Sequence, residues 1–506
     1  MSADPYAVPS TVPPASAWSS SSGQPTGRPG TLPAVIQGGM GVGVSGWRLA
    51  HAVSAAGQLG VVSGTALDLV LARRLQDGDP GGHVRRALAA FPVPAVAQRV
   101  HDTYFLDGGR PEGRAYRTVP MLTLAPPRAL QELVVVANFV EVFLAKEGHA
   151  GPVGINYLRK IELPLPFACL GALLAGVDVV LVGAGSPAEI PALLRRLARR
   201  DGVALPVRAQ GTTSADGTFA IRCSPRALLG DGPPLPVPRL LAIVASTDLA
   251  TGLAADPATR PDGFVVEAPT AGGHNAPPRG PRRTTPDGEP VYDDRDRVDL
   301  DAVRRTGLPF WLAGGQGTPQ ALRAARAVGA AGVQVGTAFA FSEESGLDDA
   351  LKRRVLADLR RGTPPRILTD WRASPTGFPF KVVAVAGTLS DPAVAADRKA
   401  VCDVGALRTA YKREDGRIDY RCPAEPAGTY VGRKGGREAN TEGRRCLCNG
   451  LLASAGLPQR RPHGALEPAI LTSGDDLAAV TVLGRAVPGG GPYRAQAVLD
   501  HLTGAG

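Results

Sequence analysis

The chain lacks any long uninterrupted apolar run. Its most apolar stretch, residues 167–185, is broken by Asp178 and punctuated by glycines. That stretch reads as a buried helix running into a strand, and no membrane span is expected. The N-terminus has no basic segment followed by an apolar core, so no secretory signal is visible and a cytoplasmic location is expected. There is no dense basic run with interleaved aromatics either. The net charge of +10 is dispersed as Arg among Asp and Glu, which argues against nucleic-acid binding but leaves a field suited to small anionic substrates. Six cysteines in 506 residues are too few for a secreted disulfide scaffold. Residues 1–30 are Pro, Ser, Ala and Gly with almost no large apolar side chains, and are expected to form a disordered tail.

From Leu32 a rhythm is present. A short apolar strand, a glycine-containing loop and a longer helical pattern follow one another repeatedly. The strand candidates are Ala34–Gln37, Leu59–Ser63, Pro152–Asn156, Val177–Val182, Leu240–Ala245, Gly263–Glu267, Pro309–Ala313 and Gly332–Val335. Helical candidates between them include Trp47–Ala56, Arg128–Lys146, Phe167–Ala175, Pro187–Arg199, Asp299–Arg305 and Pro319–Val328. In the second of these, Leu130, Val134, Phe139 and Phe143 lie on one stripe. Eight strand–helix units imply a (β/α)8 TIM barrel over 31–347; a doubly wound open sheet is the alternative that counting leaves standing.

Two insertions interrupt the rhythm. Residues 66–127 hold one extra helix, Ala66–Arg74, and a Gly/Arg-rich loop; 206–236 read as a hairpin of Val207–Gln210 and Phe219–Cys223 around Ser214-Ala-Asp-Gly217. Residues 348–506 form a C-terminal extension, helical and then loop-like to 400 and cysteine-containing beyond.

A barrel of this kind carries its chemistry in the loops after the strand C-termini. The first strand ends in Gln37-Gly-Gly-Met-Gly41 and the third in Asn156, an amide that both donates and accepts. The sixth ends in Glu267, followed by Gly272-Gly273-His274. That dipeptide alone is as well explained by a turn with a solvated histidine, although a histidine there can exchange protons near neutral pH. The seventh strand ends in Ala313-Gly-Gly-Gln-Gly317, with Thr318 and Pro319 starting a helix, and the eighth in Gln334-Val-Gly-Thr337. Glycine loops after strands seven and eight are where such barrels take a phosphate, and the eight-strand register favours that over plain turns.

Ala34-Val-Ile-Gln-Gly-Gly-Met40, Val153-Gly-Ile-Asn156, Ala271-Gly-Gly-His274, Leu312-Ala-Gly-Gly315 and Val333-Gln-Val-Gly-Thr337 resemble, in order and spacing, the nitronate monooxygenases. The resemblance runs over roughly residues 32–345. It implies an FMN-dependent barrel that oxidises alkyl nitronates with O2 to a carbonyl compound and nitrite. It implies FMN contacts from Asn156, Gly272 and Gly315 and from Gln334, Val335, Gly336 and Thr337, with Gln37, Gly38, Gly39 and Met40 against the flavin ring. Glu267, Gly273 and Gly314 join that set from the same loops. His274 is implied to sit by the substrate as base or hydrogen-bond partner; whether it is protonated stays open. The chain departs from the pattern at Glu267, where glutamine is frequent, and in a long loop from Asn275 to about Asp296 bearing Arg279, Arg282 and Arg283. That loop reads equally as a lid or as a proline-pinned excursion.

Two other readings stand beside this one. Flavin enoyl reductases share the barrel and use NAD(P)H on an acyl thioester, and the arginine-bearing loop suits the phosphopantetheine of an acyl-carrier protein. A non-catalytic flavin- or metal-binding interaction protein built on 400–506 is the other. Cys402, Cys422, Cys446 and Cys448 are four thiols with long, irregular spacing and one C-x-C pair. They fit free buried cysteines better than a metal site, so no metal is assigned. The sequence does not give an oligomeric state.

Overall fold

Each of the eight apolar runs forms a strand, and the strands close on one another. The computed structural model describes residues 31–504 apart from the His463 side chain, so the tail expected at 1–30 lies outside the described residues. The strands are β1 (Val35–Gln37), β2 (Leu59–Ser63), β3 (Val153–Leu158), β4 (Val179–Gly183), β5 (Arg239–Val244), β6 (Gly263–Glu267), β7 (Phe310–Ala313) and β8 (Gly332–Val335). Every neighbouring pair is parallel, and the order β1-β8-β7-β6-β5-β4-β3-β2 makes a closed barrel, not an open sheet.

Parallel strands in this setting are covered on both faces, which explains why β4, and β2 up to its terminal Ser63, are apolar and why both are buried at every position. Ile36, Val61, Leu181, Leu241, Val265 and Trp311 fill the interior, and Trp311 donates its indole N–H to the Pro33 carbonyl at 2.9 Å. The interior is therefore packed solid, and a ligand has room only at the strand ends.

The expected helices are present, with Arg128–Lys146 at its exact bounds. That helix is buried almost all round, beyond its apolar stripe, because His83–Ala89 and Pro94–Tyr104 pack over it. These two helices were not expected; they precede the Gly/Arg-rich loop around Leu106–Arg110, which is present as a turn. One is only seven residues long, and the other opens on Pro94 at its first turn, a placement that helices tolerate. The buried Glu132 carboxylate accepts from Arg99 and Arg128, so the covering layer is also ion-paired.

The hairpin at 206–236 is shifted from its expected register. Ala220–Cys223 pairs antiparallel with Val203–Pro206 instead of with Val207–Gln210. Ala209 and Gln210 pair parallel with Ala410 and Tyr411, and Ser214–Asp216 forms a 3-10 turn capped by Thr213. Proximity in sequence favoured the local partner; a distant strand took it.

Beyond 347 the helix Asp349–Arg361 starts at the Asp348 cap and stops at Gly362, whose φ of +77° lies in the left-handed region. Where a loop was expected next, Ile367–Asp370 and Phe380–Val383 form an antiparallel hairpin. A second hairpin joins Thr409–Lys412 to Ile418–Arg421. Helices Leu447–Ser454, Ala478–Ala486 and Ala495–Thr503 follow, and the last packs against Trp47–Ala55 and Pro319–Ala327 on the flank of the barrel.

Candidate active site

The barrel register gathers the sequence-singled residues at one end. Glu267 of β6 lies opposite Ala313 of β7, Ala313 opposite Gln334 of β8, and Gln334 opposite Ile36, one step before Gln37. On the other side Asn156 of β3 is level with Ser63 of β2.

Their side chains divide into two groups. Gln37 is fully buried and spent on the protein: its amide oxygen accepts from Val61 N at 3.0 Å, and its nitrogen donates to Ser45 Oγ at 2.9 Å and to the Gly38 carbonyl. Ser45 Oγ in turn accepts from Met40 N and donates to the Gly38 carbonyl, both at 2.8 Å, while Gly38 N donates to Val335 O. Gln37 thus shapes the Gly38–Ser45 turn. The second group keeps unspent atoms. Asn156 donates to the Gly39 carbonyl at 3.1 Å, but its Oδ1 has no partner; neither have Gln334 Oε1, Ser63 Oγ and Lys160 Nζ, all buried atoms. Buried polar atoms without partners are uncommon and costly. Four of them on the strand ends and the loops that follow mark a place where a polar, planar group fits.

The glycine turns around them run close against these side chains. A Cβ on Gly39 would stand 2.4 Å from Asn156 Cβ, so only glycine lets this turn lie against Asn156. Gly314 and Gly315 have φ of +90° and +67°, the left-handed conformation that turns consecutive amides outward. Met40 lies against Gly336. Thr472–Asp475 lies over the loops that carry Thr270–Gly273 and Thr337. Gly273 N already donates to Thr472 Oγ1 at 2.9 Å, Gly474 N donates to Thr337 Oγ1 at 2.8 Å, and Asp475 N donates to the Thr270 carbonyl at 3.1 Å. Gly272 sits directly under Ser473 and Gly474.

His274 is held from outside the barrel. Its Nε2 is 2.6 Å from Ser374 Oγ, and Ser374 Oγ is 2.8 Å from Thr376 Oγ1. Phe380 packs edge-on against the imidazole with ring centroids 4.8 Å apart, and the Lys381 N–H donates to the Gly273 carbonyl at 2.9 Å. The hairpin of the C-terminal extension thus forms one wall of the site. Lys381 is itself buried, bonded to Thr369 Oγ1 at 2.7 Å and to Asp475 Oδ1 at 2.8 Å.

Burial holds the His274 imidazolium well below its usual range, with the Lys160 charge adding to the effect. Burial likewise pushes Glu267 up to about 7, opposed by Lys160. It pushes Lys160 down to about 7, opposed by Glu267. His274 is therefore neutral at neutral pH and able to accept a proton. The Lys160 ammonium also lies 4.9 Å from the Phe378 ring centroid. Sequence reading missed Lys160, Ser374, Phe380 and Thr472. Lys160 stands four residues past Asn156 in the same loop, which is the one signal that was available. The others arrive from a hundred or more residues away.

The long loop after β6 is tied at several points. Arg279 donates to the Ala245 carbonyl at 2.9 Å, Tyr292 OH to Ala276 O at 2.9 Å, and Asn275 N to Pro379 O at 2.9 Å. Arg283 pairs with Asp293, and Arg282 stacks over Trp371 at 4.3 Å. Among the described residues, no group of three or more His, Cys, Asp or Glu is set to hold a metal ion, and no helix is long and apolar enough to cross a membrane.

Residues 240–363, spanning β5 to β8 with Glu267, His274 and both glycine loops, match the family model for nitronate monooxygenase. That match takes in less than half of the chain, so the likeness to nitronate monooxygenases is a likeness of this segment of the TIM barrel. A curated relative, (3aS,4S,5R,7aS)-5-hydroxy-7a-methyl-1-oxo-octahydro-1H-indene-4-carboxyl-CoA dehydrogenase of Mycobacterium tuberculosis, is 40% identical over 122 residues. The match covers 24% of this chain and 29% of that one. Among solved structures, FabK from Thermotoga maritima aligns with a TM-score of 0.44 at 15% identity, over 93% of this chain and 91% of that one. Nitroalkane oxidase from Streptomyces ansochromogenes aligns at 0.43 and 16%, over 93% and 95%. Likenesses of that size describe neither chemistry nor substrate; the strand order establishes the barrel by itself.

Proposed function

We propose that this protein is an FMN-dependent oxidoreductase that oxidises alkyl nitronates with O2, giving a carbonyl compound and nitrite. The observation that carries the reading is a neutral His274, oriented by Ser374, at the same barrel mouth as the unpartnered Asn156 Oδ1 and Gln334 Oε1. Those amides suit the polar edge of a flavin ring, and Gly314, Gly315 and Gly336 suit the phosphate end, with Ser473 and Gly474 beside it. Bound FMN supplies the electron acceptor. Asn156 and Gln334 would hold the ring edge and Met40 would lie beside it, and His274 takes the proton from the carbon next to the nitro group when the substrate arrives as a nitroalkane. Lys160 adds a positive charge that draws an anionic nitronate. A cytoplasmic location belongs to the same proposal.

A second reading is an NAD(P)H-dependent flavin enoyl-thioester reductase; the 40% identical relative, by its name a carboxyl-CoA dehydrogenase, supports a thioester substrate. Two of the three loop arginines that suited a phosphopantetheine are engaged within the protein, Arg279 with backbone carbonyls and Arg283 with Asp293. The purified protein, loaded with FMN, separates the two readings. Rapid flavin bleaching by propionate 3-nitronate without NADPH supports the first, and bleaching by NADPH alone supports the second. A protein that will not take up flavin overturns both.

A further inference from the structure

Four of the six cysteines come together although the sequence spaces them irregularly. Cys402 lies in a loop, Cys422 follows the strand Ile418–Arg421, and Cys446 and Cys448 sit at the start of the helix Leu447–Ser454. All four line one small cavity, all are free thiols, and Cys169 and Cys223 lie elsewhere. We propose that Cys402, Cys422, Cys446 and Cys448 form a four-thiolate metal centre, for zinc or an iron–sulfur cluster.

Three observations carry this beyond the presence of cysteines. First, the sulfurs receive N–H groups: Ala424 N donates to Cys422, Leu407 N to Cys448, and Asn449 Nδ2 to Cys446 Sγ at 3.6 Å. Such donors stabilise the thiolate form and are typical of the shell around a metal-bound sulfur. Second, four thiolates around a divalent ion carry two net negative charges, and cations surround the cavity. Arg408 and Lys434 act on Cys402, Arg398 lies near Cys446, and Arg444 near Cys422. Third, the four side chains meet in a single lining and none of them is paired in a disulfide.

As folded, no three of these sulfurs are set at ligand distance from a single ion. Binding therefore draws the side chains inward on one zinc or spreads them over a larger cluster, and it releases one proton for each thiol that becomes a thiolate. The centre would also brace the candidate active site. Next to Cys446, Arg445 N donates to Ala373 O at 2.9 Å, and Arg444 donates to the carbonyls of Arg372 and Ser374. Ser374 is the residue bonded to His274.

The test is metal and acid-labile sulfide analysis of the full-length protein, purified anaerobically from iron- and zinc-supplemented cultures. About one zinc per chain without sulfide identifies a zinc site. Iron and sulfide in equal amounts, with visible absorption that dithionite bleaches, identify a cluster. Cys422→Ser and Cys448→Ser should each lose the metal, while Cys169→Ser retains it. Should those variants fail to fold, mercurial titration of the wild type decides: metal must leave in step with modification of four thiols. A folded protein without stoichiometric metal from either culture, and with no cobalt(II)–thiolate absorption on titration, overturns the proposal. So does metal that survives modification of all the thiols.

Discussion

His274 Nε2 and Ser374 Oγ stand 2.6 Å apart, joining the loop after β6 to a turn a hundred residues further along the chain. Ser374 Oγ also meets Thr376 Oγ1 and accepts from Thr376 N at 3.2 Å. With Nε2 engaged by Ser374, the imidazole acts as a base only through Nδ1, which requires Nε2–H to donate to Ser374 Oγ.

His274→Ala should retain flavin but slow its reduction by substrate at least ~100-fold, as expected for removal of a general base. Ser374→Ala leaves the base in place with its orientation loosened. A loss on the order of tenfold in kcat, with KM little changed, is expected. Stopped-flow flavin reduction measures both, and unchanged turnover in His274→Ala would make the histidine a bystander.

A base must be unprotonated, so kcat/KM should hold at neutral pH and fall on the acid side, below 6.5. Lys160→Met removes the charge that helps to depress the His274 pKa. The acid limb should therefore move to higher pH; a limb that stays put or moves lower contradicts the electrostatics. The same depression has a stability consequence. The unfolded chain takes up the His274 proton at about 6.5 while the folded chain resists it, so this contribution to stability is present above pH 6.5 and is lost as pH falls below it.

Gly39→Ala would drive a methyl group to 2.4 Å from Asn156 Cβ and 3.1 Å from Val61 Cγ1. Relieving that clash should cost about 1–3 kcal/mol and displace Asn156, lowering flavin occupancy of the purified protein. Gly252→Ala is the control: it lies within the helix Thr247–Ala255, and its methyl would meet nothing within 4 Å. Equal flavin loss in both variants would show that Asn156 does not matter to binding.

Lys381→Met leaves Thr369 Oγ1 and Asp475 without their buried ammonium partner. A loss of roughly 1–3 kcal/mol is expected, moderated because Asp475 is 44% exposed. Thermal denaturation reads the loss. Because this hairpin carries the backbone that meets Gly273 and His274, the slow-turnover behaviour of Ser374→Ala should appear alongside it.

Much of the barrel was legible because its strands are buried on two faces and are therefore apolar along most of their length. Glycine pairs and single polar residues at the strand ends, such as Gln37, Asn156 and Gln334, stood out against that background. The hairpin register was not legible, because Ala209 and Gln210 pair with Ala410 and Tyr411 across two hundred residues. The roles of the site amides were not legible either. Gln37 and Gln334 look alike in the sequence, yet one is consumed by Val61 and Ser45 while the other keeps an unpartnered oxygen.

The eight-strand rhythm could be read from the sequence alone, as could the glycine and polar residues at the strand ends, with His274 among those that follow them. Periodicity and local turn chemistry are encoded within a few residues, so they can be read without the fold. Only the tertiary structure decided that His274 is neutral, that Ser374 orients it, that Lys160 and Glu267 share its mouth, and that four scattered cysteines meet. Burial, charge coupling and convergence depend on which distant segments pack together, and no short stretch of sequence carries that information.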